Sequence, residues 1–229
     1  KVFNRGLRTA GFLGAFLGMF VVSGIEILTT QRFQLSAGFT PLQAGLVTGA
    51  VAIAAFPGAI FGGRYVDRIG FRTVISGGYV IATIAGILAV FAIREGFFPL
   101  FMIALVLVGT GTGLAMSVTS TAIIGSAPAR RTGMASAIES VSYEFGTMLS
   151  VAILGSLMSL FYTINAAPEV AHSMDASAHN PALAPMAASA IDTAYTWTLC
   201  IAIALSFPAA VVTAALLTDN PKETKYAHE

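Results

Sequence analysis

The sequence predicts an all-α membrane protein with six transmembrane helices. Two observations carry that prediction. Only 10% of the 229 residues are charged while 56% are hydrophobic, and mean hydropathy is +0.81; a soluble domain carries about 25% charged residues. Twelve Lys plus Arg and eleven Asp plus Glu cannot clothe a water-facing shell for a chain of this size. The second observation is spacing. Six windows have the ~20 apolar residues that a spanning helix needs, each bounded by charge or turn clusters.

The windows are 10–30, 41–62, 73–93, 98–123, 134–162 and 195–217. The first is too long for a signal peptide and lacks a small-residue cleavage site. Pro57 and Pro208 are expected to kink the second and sixth. Gly109, Gly111 and Gly113 imitate half a dinucleotide fingerprint, but no strand precedes them, so they are read as close helix packing. Tyr195 and Trp197 open the sixth helix, where amphipathic rings sit at the outer interface. The connection 165–193 contains Pro168, Pro181 and Pro185 and reads as an irregular extracytoplasmic loop. His172 and His179 within it lack further ligands at metal-binding spacing and are read as solvated. Residues 218–229 are expected to form a cytoplasmic tail.

Orientation follows from the basic residues, which are retained on the cytoplasmic side. Lys1, Arg5, Arg8, Arg64, Arg68, Arg72, Arg130, Arg131, Lys222 and Lys225 fall on one side of a six-pass chain, and only Arg32 and Arg94 on the other. Both ends of this segment are therefore expected in the cytoplasm. A net charge of +1 gives no basic excess for nucleic acid, and the single Cys200 excludes an internal disulfide or a multi-thiolate metal site. No GxSxG, HExxH or P-loop is present, so neither an enzyme nor a cofactor is expected.

The most specific local pattern is the run from Gly63 to Arg72, with Arg64, Asp67, Arg68 and Gly70 between. It is read as a short loop between the second and third helices. The two glycines permit the turn and close approach, and Asp67 holds the loop by charge-assisted contacts. This spacing resembles the signature loop of the major facilitator superfamily. The six-helix count, Arg5 before the first helix, the run Pro41 to Leu46 and the run Gly133 to Ala137 resemble its fourteen-helix drug:proton antiporters, the QacA, SmvA and LfrA type. The similarity is to their C-terminal six helices, since the intramembrane Arg and Gly-Pro signature of the N-terminal half are absent. It implies one half-bundle of the facilitator fold, made of two inverted three-helix repeats. It also implies proton-coupled efflux of lipophilic cationic drugs, dyes and antiseptics across a bacterial inner membrane, with the proton gradient as energy source. The partner it implies is an N-terminal half of six to eight helices, and a start at Lys1 rather than Met points the same way. The alternative is a half-length subunit or scaffold that transports only when paired with another six-helix half.

Charges at membrane depth cost ~3 kcal/mol or more, so those that occur face a cavity, a partner or water. Three carboxylates qualify: Glu26, Glu139 and Glu144. Desolvation disfavours their charged form, which makes each a candidate proton carrier. Glu26 shares a helical face with Phe12, Ala15, Met19, Val22, Ser23 and Thr30, a surface suited to a lipophilic cation or, alternatively, an interfacial acid reaching headgroups. Glu139 shares a polar stripe with Ser136, Ser142, Tyr143, Gly146 and Ser150, expected to line water or substrate unless the acid caps locally. Glu144, ~140° further round, falls with Gly133, Ala137, Ser140 and Gly155 and is expected at a packed interface, in a structural or a proton-coupling role. Met116 on the fourth helix is a weaker candidate for the substrate wall.

Overall fold

A computed structural model describes residues 5–125 and 127–216. The helices are α1 (Arg5–Leu35), α2 (Pro41–Ile69), α3 (Phe71–Arg94), α4 (Phe98–Gly125), α5 (Thr132–Asn165), the short α6 (Met174–Ala178) and α7 (Ala184–Leu216), with one 3-10 turn, Ala129–Arg131, leading into α5. Among the described residues six helices are long and apolar enough to cross a membrane, α1 to α5 and α7. Lys1, Lys222, Lys225, residue 217 and the tail 218–229 lie outside the described residues.

The ends of these helices are set by local chemistry. Thr40, extended and ahead of Pro41, caps α2: its Oγ1 accepts from the Gln43 amide at 3.3 Å while the Gln43 side chain accepts from the Thr40 amide at 2.9 Å. A single residue, Gly70, separates α2 from α3 with φ at +91°, backbone that a side chain strains.

Three expected boundaries are corrected. α2 runs on to Ile69, so Gly63 to Ile69 is helix and the turn is Gly70 alone. α1 continues to Leu35, because Arg32 at its C-terminal end is neutralised by Asp192 rather than ending the span. The supposed loop 165–193 contains α6 and the start of α7. Pro185 falls in the first turn of α7, where its missing N–H has no intrahelical partner to lose. Thr193 and Thr196 return their hydroxyls to the carbonyls of Ser189 and Asp192, which makes this polar stretch compatible with helix. Tyr195 consequently sits eleven residues beyond Ala184, fully buried and hydrogen-bonded to Thr29, and does not open the helix; Trp197 is exposed.

The packing has an internal symmetry. α1 lies along α5 and α7, α4 lies along α2 and α3, and α1 meets α4 as α3 meets α7. Exchanging the first three spans for the last three maps α1/α5 onto α4/α2 and α1/α7 onto α4/α3. Each connection, including the longer one through α6, reverses the next span, so the two three-helix units are inverted copies. α1 and α4 are the most buried spans, α2 and α5 the least.

Small residues permit the closest contacts. A Cβ at Gly109 or Gly113 would strike the α2 backbone at Val51 or Ala55, and one at Gly111 would strike α3 at Gly78. The three glycines thus join α4 to two neighbours at once, as expected of close helix packing.

Candidate functional site

α1 is positioned by three sets of contacts. Towards α5, Ser150 Oγ donates to the Phe20 carbonyl at 2.6 Å and Ser23 Oγ bonds Thr147 Oγ1 at 3.2 Å. Towards α3, the Tyr79 hydroxyl donates to the Gly14 carbonyl. Towards α4 and α7, Gly14 meets Thr119 and Thr213. One strip escapes all three. Phe12, Met19, Val22, Glu26 and Thr30 stay half-buried, while Ala15 and Ser23 of the expected face are buried. Among the described residues nothing hydrogen-bonds or ion-pairs with the Glu26 carboxylate. Thr119 lies opposite Gly14 and Ile123 opposite Gly11, which sets half-buried Met116 level with residues 17–19 of α1, beside Met19 in depth.

On α5 the expected polar stripe is corrected. Glu139, Gly146 and Ser150 are buried, Gly146 against the Phe16 backbone of α1 and Ser150 against Phe20, so the stripe is turned onto a neighbouring helix. Ser142 and Tyr143 are half-buried and only Ser136 is exposed. Glu139 is 5% exposed, and its Oε1 accepts from the Tyr143 hydroxyl at 2.9 Å. A carboxylate so enclosed needs that donor.

Glu144 is corrected as well. It is exposed, beside exposed Val141, Phe145 and Met148, and Gly133 and Gly155 of its face meet nothing within 4 Å. The physical reason is that α5 docks on α1 through its 139/146/150/154 side. Small residues permit close approach but do not compel it.

The three acids are not brought together. With Phe20 level with Ser150 and the two helices parallel, Glu26 stands about 25 Å above Glu139 and about 18 Å above Glu144 along the bundle.

The signature run spans the last turns of α2, the Gly70 turn and the start of α3. Arg64, Asp67, Arg68 and Arg72 are exposed while Val66 between them is buried. Gly70 serves the turn as expected, but a Cβ at Gly63 would meet nothing within 4 Å, so close approach is not its role.

A pair not singled out from the sequence closes the other end. Arg32 Nε donates to Asp192 Oδ1 at 2.9 Å, joining α1 to α7. Opposite charges near the ends of two apolar windows were the available signal. His172 and His179 are exposed, His179 lying against Asp175 of α6 with Nδ1 3.5 Å from its Oδ1.

Comparison with known proteins agrees with this architecture. A family model described as the Major Facilitator Superfamily matches residues 11–229. The multidrug efflux pump LfrA of Mycolicibacterium smegmatis is 30% identical over 158 residues, 69% of this chain and 31% of that protein. The methyl viologen resistance protein SmvA of Salmonella typhimurium is 30% identical over 162 residues, 69% of this chain and 32% of that protein. The multidrug resistance protein Stp of Mycobacterium tuberculosis is 31% identical over 155 residues, 66% of this chain and 28% of that protein. The chain thus covers about a third of each relative's length. Among solved structures, the major facilitator transporter FucP in its outward conformation superposes with a TM-score of 0.71 at 17% identity, over 96% of this chain and 51% of that one. A D-xylose-proton symporter gives 0.60 at 18% identity, over 95% and 49%. The all-helical fold, its internal symmetry and a family match over nearly the whole sequence lead to one conclusion: the chain belongs to the major facilitator superfamily of membrane transporters.

Proposed function

We propose that this chain is the C-terminal half of a proton-coupled exporter of lipophilic cations, including dyes and quaternary ammonium antiseptics. It works in a bacterial cytoplasmic membrane with both ends of the segment on the cytoplasmic side. The observation that carries the reading is Glu26: a half-buried carboxylate without a described partner, on a strip with Phe12 and Met19 and at the outer side of Met116. A lipophilic cation gains charge neutralisation and aromatic and thioether contact there. The relatives' names, multidrug efflux pump and methyl viologen resistance protein, support the substrate class.

Coupling requires only that an acid bind a proton or a cation but not both, so that protonation from outside releases the drug. Glu26 meets the substrate in the outer half. Glu139, held by Tyr143 nearer the cytoplasm, and Glu144 on the open side of α5 take protons at other depths. The Asp67 run biases inward- against outward-facing states. The N-terminal half of the transporter packs on the exposed side of α2 and α5 and supplies the second wall of the cavity.

The test is the native protein in proteoliposomes with a pH gradient and Glu26→Gln, Glu139→Gln and Glu144→Gln variants. At least one variant is expected to lose most of its drug-driven proton movement. Unchanged movement in all three overturns the reading. A second reading, a subunit or scaffold that functions only beside a separate six-helix chain, rests on the same exposed α5 face; a native polypeptide of about this chain's 23.7 kDa on a denaturing gel favours it.

A further inference from the structure

At the outer end of α1 the Arg32 guanidinium is held by more than its partner. Asp192 Oδ1 accepts from Arg32 Nε at 2.9 Å and from Ser36 Oγ at 2.8 Å. The guanidinium carbon lies 5.0 Å from the Phe33 ring centre and 5.6 Å from that of Tyr195, whose hydroxyl bonds Thr29 Oγ1 at 3.1 Å. The arginine side chain is 15% exposed and the aspartate 41%. Ser36 also lines a cavity of about 490 Å³ with Gln34, Thr40 and His179, between the α1–α2 turn and the start of α7.

Arg32 is six residues beyond Glu26, about 9 Å along the same helix. That is close to one Debye length, in a medium that screens less than water. A bare guanidinium there would repel any cation leaving the Glu26 strip outward. We propose that Asp192 is a charge-selectivity residue: by cancelling Arg32 it keeps the outward exit passable to cations, and to dications most of all. The inference rests on the cation-export reading above and extends it to residues outside the substrate strip.

A fixed potential acts in proportion to substrate charge, so the factor lost by a dication is the square of that lost by a monocation. A mere α1–α7 staple would slow both alike. The measurement is efflux of tetraphenylphosphonium and of methyl viologen from vesicles carrying the native protein. Asp192→Asn keeps the acceptor for Arg32 and Ser36 and removes only the charge. It is expected to slow the monocation about threefold and the dication about tenfold, so the dication-to-monocation ratio falls about threefold. The double variant Arg32→Gln/Asp192→Asn is expected to return that ratio to the native value. An unchanged ratio in Asp192→Asn, or a double variant whose ratio stays depressed, overturns the proposal. Should Asp192→Asn fail to reach the membrane folded, Arg32→Gln decides. Its unneutralised aspartate is expected to raise the ratio, and an unchanged or lowered ratio overturns the proposal. A native protein that moves neither probe removes the cation-export reading itself, and this inference with it.

Discussion

Between helices in lipid, hydroxyl groups supply cohesion that aliphatic burial cannot, because lipid tails are as apolar as the side chains they replace. Ser150 donating to the Phe20 carbonyl and Tyr79 donating to the Gly14 carbonyl each tie α1 to a neighbour. Both carbonyls belong to α1, so deletion of either donor leaves them their helical bonds. Ser150→Ala and Tyr79→Phe are each expected to lose about 0.6 kcal/mol and at most ~1.7 kcal/mol, measured by SDS-driven unfolding in mixed micelles. A loss above ~3 kcal/mol would mean that these residues carry packing which a single hydrogen bond does not describe. At this scale the sequence was partly legible. The Glu26 strip follows from 3.6-residue spacing alone, and its half-buried members stand where that spacing puts them. The stripe containing Glu139 had the same signature yet faces α1, because periodicity reports that a side is polar and not what lies against it. Arg32 and Asp192 are 160 residues apart, and nothing local to either names the other.

At the scale of the helix, α4 is the hub, and the glycines at its contacts with α2 and α3 differ in kind from those on open faces. A Cβ at Gly109 would press into the Val51 carbonyl, which is backbone and cannot rotate away. Gly109→Val is therefore expected to separate α2 from α4 and cost more than ~2 kcal/mol, as overpacking does in a well-filled core. Gly63→Ala, with nothing within 4 Å of the new methyl, is expected to be neutral or to stabilise by up to ~1 kcal/mol through reduced chain entropy. Thermal aggregation midpoints in detergent compare the two, and equal losses would contradict the packing. Gly70→Ala belongs between them. Its φ of +91° costs a side chain ~1–3 kcal/mol, and because Gly70 alone sets the angle between α2 and α3, transport should fall with stability. The existence of the six spans was fully legible, since hydropathy over about 20 residues is a summed signal, whereas the short α6 lies below that signal. Helix extent was not, because Arg32, Pro185 and Asp192 look like terminators until their partners are known. Arg32 and Asp192 neutralise each other, and Pro185 occupies the one turn that tolerates it.

On the whole molecule, exposed surfaces of two compositions imply two solvents. The outward side of α3 shows Val80, Ile81, Ile84, Ile87 and Phe91, a face with no polar side chain and the composition lipid requires. The exposed side of α5 shows Val141, Phe145 and Met148 interleaved with Ser136, Ser140, Glu144, Ser156 and Ser159. A carboxylate turned to lipid costs several kcal/mol while the serines gain nothing there, so this face meets water or protein. In the native protein with Cys200 replaced, cysteines at 140 and 144 are expected to react with a membrane-impermeant methanethiosulfonate, and cysteines at 84 and 87 to stay unlabelled. A bound cationic substrate should slow labelling at 144 if that side of α5 lines the pathway, and leave it unchanged if the face is buried against the second half. Equal protection at all four positions would mean that 140 and 144 meet lipid or packed protein and not water. The open side of α5 would then lose its claim as a wall of the cavity, and Glu26 would be left as the carboxylate with access to substrate.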